Sequence, residues 1–266
     1  MFNSSLSGRI PFVKTVAVVL FFMVTGCVSN GPPSTCAQDP YENFNRKIFT
    51  LNMAVDHAFL RPIAKVYDNM LPSPVKHGVR NFFANLGSLS VIANKLLQLH
   101  FAQAVIDMAR LIINSIIGIG GIYDVAAALG LERDTEDFGL TLGVWGSNET
   151  PYIVLPFFGP YTLRDAVGAP IDYMLFSIWP NINSKKLLYG LEAGDLVQRR
   201  ADLLVGDSVI DQAFDPYVFV RDAYLQRRAH LVKESKEKHV TQYEDEKGVV
   251  HRSRRTIPIS SVISDD

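Results

Sequence analysis

The sequence predicts an all-α fold: a single helical domain seated in one membrane leaflet, with a flexible N-terminal tether and a charged C-terminal tail. Two observations predict the domain. Between residues 39 and 232 apolar side chains recur at helical period and strand signals are scarce. Two uncharged runs, Leu111–Tyr123 and Thr150–Leu163, are 13 and 14 residues long. Crossing a hydrocarbon core of about 30 Å takes about 20 apolar helical residues, whereas about 10 cover a single leaflet. The competing reading of such runs is a pair of ordinary buried core segments. From Leu86 to Leu131 only Lys95, Asp107, Arg110 and Asp124 carry charge.

The third observation lies at the N-terminus. Residues 1–26 read as a signal peptide, with Arg9 and Lys14 ahead of the uncharged stretch Thr15–Gly26. Val24-Thr25-Gly26-Cys27 resembles a lipobox, with Val24 and Thr25 where Leu and a small residue are usual. Cys27 is then the lipid-attachment residue, each buried methylene contributing about 0.8 kcal/mol. The alternative is an ordinary cleavage nearby that leaves Cys27 a bystander. Val28, not Asp, follows the cysteine, which favours the outer membrane. Residues 27–38 suit a tether, holding two prolines, a glycine and small polar groups. Residues 233–266 carry 14 charges balanced in sign, too polar to bury much surface, although the first third can extend the preceding helix.

Removing residues 1–26 takes two positive charges from a chain of net charge −1, leaving −3 and no basic face for nucleic acid. Cys36 has no partner once Cys27 is acylated, so no disulfide framework is expected.

Within the domain, Tyr41–His57 is expected as a helix with Asp39 as N-cap and Pro40 at the first position. Pro72, Ser73 and Pro74 break the next segment. Val75–Asn85, Leu89–Leu99, Ala102–Ile117, Thr162–Ile178, Ser184–Val205 and Pro216 to about residue 238 follow as helices. Polar residues recur one turn apart inside these apolar helices: Asn52 with Asp56, Asn81 with Asn85, Asn94 with Gln98, Arg110 with Asn114. Facing lipid they would be costly, so they point to partners between helices or to a wet cavity. Asn81, Asn85, Asn94, Gln98, Arg110, Asn114 and Asp124 are the candidate cavity lining. Gly118, Gly120 and Gly121 permit positive φ at a helix end, and with Gly139 and Gly143 they mark a bent, flexible hairpin.

Enzymatic signals are weak. Gly206-Asp207-Ser208-Val209 resembles the start of a GDSL lipase motif, but it follows a helical pattern, where an Asp-Ser helix cap is the simpler reading. There is no GxSxG elbow, and the histidines at 57, 77, 100, 230, 239 and 251 lack metal-ligand spacing. No catalytic residue, metal or cofactor is expected. Asp107 with Arg110, and Arg164 with Asp165, read as structural ion pairs or lining groups.

Several ordered blocks carry a family resemblance. They are Asp39-Pro40-Tyr41-Glu42, Asn45-Arg46, Phe49, Asn52, Asp56, Asn81–Leu86, Asn94–Gln98, Asn114, Gly118–Gly121 and Asp124. Glu136-Asp137-Phe138-Gly139, Thr141–Gly146 with Trp145, Pro151-Tyr152 through Pro156, Gly159-Pro160 and Leu163-Arg164-Asp165 complete the set. The pattern, over about residues 39 to 230, resembles the MlaA (VacJ) lipoproteins. That resemblance implies a helical ring in the periplasm-facing inner leaflet of the outer membrane, with a central amphipathic channel and a trimeric porin as partner. It further implies extraction of mislocalised glycerophospholipids from the outer leaflet and delivery to a periplasmic carrier of the MlaC kind. The alternative is a structural, porin-binding envelope lipoprotein that moves no lipid. Two departures touch the hairpin region: no glycine directly precedes Pro151-Tyr152, and Leu140 stands where Gln is common.

Overall fold

The computed structural model describes residues 39–147 and 150–246, with side chains as far as 238. Cys27, its tether, the signal segment and the end of the tail lie outside the described residues. Helix α1 (Glu42–Val55) passes through a π-helical turn (Asp56–Leu60) into α2 (Arg61–Met70). Leu71 and Pro72 are extended and stop α2, as the Pro-Ser-Pro signal predicts. Beyond them α3 runs unbroken over Ser73–Leu97. The expected gap between residues 85 and 89 is absent, because the Ser88 hydroxyl donates back to the Ala84 carbonyl at 3.1 Å and stays within the helix. Helix α4 (Phe101–Ile116) packs along α3, joined to it through Leu99 at φ +63°.

The next helices are short and capped. Asp124 accepts from the Ala127 N–H ahead of α5 (Val125–Ala128), and Asp137 accepts from the Leu140 N–H ahead of α6 (Phe138–Val144). The proline-rich aromatic run, expected as part of an all-helical body, forms an antiparallel hairpin of β1 (Tyr152–Leu155) and β2 (Gly159–Thr162). Tyr152 pairs with Thr162 and Leu155 with Gly159. Thr162 and Ser184 cap α7 (Leu163–Ile171) and α8 (Lys185–Leu203), separated by a π-helical turn at Asp172–Phe176 and a 3-10 turn at Trp179–Asn181. Helix α9 (Asp207–Gln212) leads to α10 (Pro216–Glu246). The last helix enters the charged segment that begins at 233 and buries Ser235 there, so the packed body extends past residue 232.

Packing closes a circuit. Helix α1 lies on β1, β2 meets α10, α10 meets α6, α6 meets α3, α3 meets α8, and α8 returns to α2. Two side-chain amides seven residues apart fasten the hairpin. Asn45 Oδ1 accepts from the Val154 N–H at 2.8 Å and its Nδ2 donates to the Tyr152 carbonyl at 3.2 Å; Asn52 donates to the Leu155 carbonyl at 2.9 Å and accepts from the Phe157 N–H at 2.8 Å. The free edge of β1 is thus paired by a helix's side chains. Asp39 is not the N-cap of α1; it is buried and accepts from Asn45, the Tyr217 hydroxyl and Arg221.

Asn45→Ala removes the partners of two buried main-chain groups, each costing about 1–3 kcal/mol when unsatisfied. Its thermal unfolding in detergent is expected several degrees below wild type; an unchanged melting temperature would show that the hairpin does not depend on this amide.

Candidate functional site

Helix α4 is inside out. Asp107, Arg110 and Asn114 are at most 4 % exposed, whereas Val105 is 66 % and Ile116 76 % exposed, with Phe101, Met108 and Ile112 on the same outer stripe. Phe59, Ile63, Val66 and Met70 form a second exposed stripe along the first π turn and α2. In water such faces would be unfavourable, since large contiguous apolar surface marks a site that meets a membrane or a partner. In hydrocarbon the arrangement is the stable one: apolar groups outward, polar groups inward. Among the described residues no helix is long and apolar enough to cross a membrane.

The inward polar groups are knitted to one another. Lys95 lies between Asp107 and Asp134, buried. Asp107 therefore pairs with Lys95 and not with Arg110, which instead grips both oxygens of Asp124 and the Leu131 carbonyl. Asn114 donates to Asp124 and accepts from the Ala126 N–H. Asn94 donates to Asp172 at 2.7 Å and accepts from the Thr141 hydroxyl; Gln98 donates to Glu136 and Thr141; Asn85 reaches Ser115. Asn85, Asn94, Gln98, Arg110 and Asn114 thus differ from the lining expected of them, being buried joints, each hydrogen-bonded to a neighbouring element. Of that set, Asn81 and Asp124 line a cavity.

Glu136 is held in a setting that favours its neutral form. Burial pushes its carboxyl up, against the lowering effect of Gln98 and Ser235. The Ser235 hydroxyl lies 2.6 Å from Gln98 Oε1 and 3.0 Å from Glu136 Oε1; with its one hydrogen given to Gln98, the second contact is satisfied when a protonated Glu136 donates to Ser235 Oγ. Asp172 is likewise pushed up by burial.

The cavity measures about 780 Å³, within the range of roughly 300–1,000 Å³ common for small-molecule sites. Its walls are the first half of α3 and the loop after α4, mostly apolar (Phe82, Phe83, Ile122), with His77, Asn81 and Asp124 as polar members. Asn81 donates to the Ile122 carbonyl, and Gly121, at φ +94°, lies so close that a Cβ would come within 2.4 Å of Asn85. Gly120 is also at positive φ. Gly118 is not; it is needed for space, its Cβ meeting the Tyr123 carbonyl at 2.2 Å. Gly139 and Gly143 do not lie in a hairpin. They sit within α6, where added Cβ atoms would meet Asp165 at 2.3 Å and Val232 at 2.8 Å, so they serve close packing.

The remaining motif residues frame this centre. Arg46 pairs with Asp215 and stacks over Tyr217, which Phe49 meets edge-on. Arg200 grips Asp56, and Arg228 bridges Asp137 and Asp165. Burial works to raise the Asp165 carboxyl, but Arg228, Tyr224 and Arg164 outweigh it and hold the group below its usual range. Phe138 packs edge-on against Trp145, whose ring N–H reaches the Leu97 carbonyl. Pro151 takes the Leu163 N–H, while Pro156 and Gly159-Pro160 flank the hairpin turn with Gly159 at φ +88°. Arg164 pairs with Asp165 at 3.2 Å, as its position suggests. Sequence reasoning missed Asp172, Ser235 and Arg133; Asp172 stands alone in an apolar stretch, which was the available signal, whereas Arg133 and Ser235 lie in charged segments that mask them. Ser208 follows α8 and a 3-10 turn, not a strand, and Asp207 is the first helical residue, bound by Arg61 and Arg200 without capping α9.

These features define a helical body with its apolar groups turned outward and its polar groups turned inward. The MlaA lipoprotein family matches residues 37–231, and the chain belongs to that family. It is 38 % identical over 213 residues to the intermembrane phospholipid transport system lipoprotein MlaA of Escherichia coli strain K12, covering 77 % of this chain and 82 % of that protein. The protein of the same name from Haemophilus influenzae is 32 % identical over 234 residues, covering 84 % of this chain and 92 % of the relative. A solved structure described as the structural basis for maintenance of bacterial outer membrane lipid asymmetry is similar at TM-score 0.65 and 32 % identity, covering 73 % of this chain and 98 % of that one.

Ile112→Lys would place a charge on the outer stripe of α4, costing about 2.5–3.5 kcal/mol at hydrocarbon depth. In a Cys27→Ala background, so that no acyl chain holds the protein, its co-flotation with phospholipid vesicles is expected to fall sharply; flotation equal to the parent would place α4 outside the hydrocarbon. For Glu136 the raised folded-state pKa means that its stability contribution is full below the unfolded value near 4.5 and is lost as pH rises through the folded value. Glu136→Gln is therefore expected to raise the melting temperature at pH 7 and to lose that advantage below about pH 4.5, measured by thermal unfolding across pH.

Proposed function

We propose that the chain is the outer-membrane component of an intermembrane phospholipid transport system. In this reading Cys27 carries the acyl anchor, and the helical body rests in the periplasm-facing inner leaflet. Glycerophospholipids mislocalised to the outer leaflet pass by an amphipathic route toward a soluble periplasmic carrier, with a trimeric porin as the membrane partner. No bond is made or broken by this chain. The inversion of α4 carries the reading: an apolar outer face beside a cavity of mixed character suits a protein that must hold both parts of an amphipathic lipid. The names of the relatives from Escherichia coli and Haemophilus influenzae support the same direction. Asn81 and Asp124 remain the proposed polar lining, and Gly120 and Gly121 the proposed pliant element beside it.

The test is surface-exposed phospholipid in a deletion strain. Wild type and Ser208→Ala are expected to restore low levels, and Cys27→Ala to restore them poorly. Deletion without any rise in surface phospholipid would leave only a structural, porin-binding role.

A further inference from the structure

Asp124 is the one carboxylate on the cavity wall, and two arginines share it. Arg110 is fully committed: buried, it donates to both Asp124 oxygens and to the Leu131 carbonyl. Arg133 is not. A single N–H reaches Asp124 Oδ2 at 3.0 Å, and the side chain stays 34 % exposed. A guanidinium has five donors in a planar fork, so most of those on Arg133 remain available to a ligand. Two cations against one carboxylate also leave this trio with one unbalanced positive charge.

We propose that Arg133, hydrogen-bonded to the cavity-wall residue Asp124, binds the phosphodiester of a glycerophospholipid, with Asp124 as the positioning residue that aims it and the apolar wall at Phe82, Phe83 and Ile122 taking acyl chain. The assignment rests on the transport reading for its choice of lipid as cargo. The match is one of charge and shape. A phosphodiester carries one negative charge, and two of its oxygens suit the parallel N–H groups of a guanidinium. Burial lowers the Arg133 pKa from its usual value; Asp124 opposes this, and repulsion from Arg110 and Arg80 adds to it. Arg80 differs in being balanced one to one by Asp202 on α8, which takes two of its N–H groups.

The experiment measures binding to the full chain, purified in detergent, of three probes: dioleoylphosphatidylglycerol, the diacylglycerol with the same chains, and inorganic phosphate. Arg133→Gln is expected to weaken phosphatidylglycerol binding at least tenfold while leaving diacylglycerol binding and the melting temperature unchanged, with Arg133→Lys recovering part of the loss. Equal phosphatidylglycerol affinity in Arg133→Gln and wild type overturns the assignment. So does an equal loss for diacylglycerol, which would make the residue a packing element, or phosphate binding as tight as lipid, which would make the site one for a free anion. Wild type that binds phosphatidylglycerol through Arg133 yet fails to lower surface phospholipid in the deletion strain would overturn the transport reading alone.

Discussion

The polar atoms of α3, α4 and α6 must find their partners inside the protein, because the outer face of α4 is apolar. That single constraint organises the rest. A helix seated in hydrocarbon cannot hand an unpaired side chain to water, and each orphan would cost several kcal/mol. Asp107, Arg110 and Asn114 therefore reach across to Lys95, Asp124 and the main chain of α5, and Asn94 and Gln98 continue the seam to Asp172, Glu136 and Thr141. Where the seam would hold too much charge, burial shifts it: Glu136 and Asp172 are pushed toward neutrality, while Lys95 has two carboxylates beside it.

Helix α10 closes the circuit of packing from the other side. Tyr217, Tyr224, Arg228, Val232 and Ser235 follow one another at spacings of three, four or seven, so one stripe meets Asp39, Asp165, Asp137, Gly143 and Glu136 in turn. Arg228 is the central tie. It holds α6 and α7 together through two carboxylates, the more exposed Asp137 and the buried Asp165, and removing one member of a buried pair such as Arg228–Asp165 typically costs about 3–5 kcal/mol, because the other charge is left uncompensated.

Much of this was legible in the sequence, and the failures have physical causes. Periodicity located the helices because each has one buried stripe, and caps such as Thr162 and Ser184 stood where the pattern began. The hairpin at Tyr152–Thr162 was missed because its edge is satisfied by Asn45 and Asn52, more than a hundred residues away, and no local signal reports that pairing. Asp39 looked like a cap for the same reason. One-turn spacing correctly placed Asn94 with Gln98, and Arg110 with Asn114, on inward faces. It could not separate a cavity wall from a dry joint, because that depends on what stands opposite, and Asp172, Thr141 and Asp124 come from later elements. Glycines read as pliant proved to be two kinds: Gly120 and Gly121 for φ, Gly118, Gly139 and Gly143 for close approach.

The distinction between joint and wall bears on how such a body could handle a lipid. A passage lined by the whole polar seam would have to break Arg110–Asp124 and Asn94–Asp172 each time a head group passed, at the cost of buried charges left unpaired. The cavity avoids this. It opens where the seam ends, against Asn81, committed through one donor, and Asp124, whose outer partner Arg133 gives it one of five donors. A head group there can exchange partners without dismantling the core, and the committed arginine beneath holds the carboxylate in place while it does so. The seam's rigidity and the cavity's availability are consequences of one arrangement, in which Asp124 faces a saturated arginine on one side and an unsaturated one on the other.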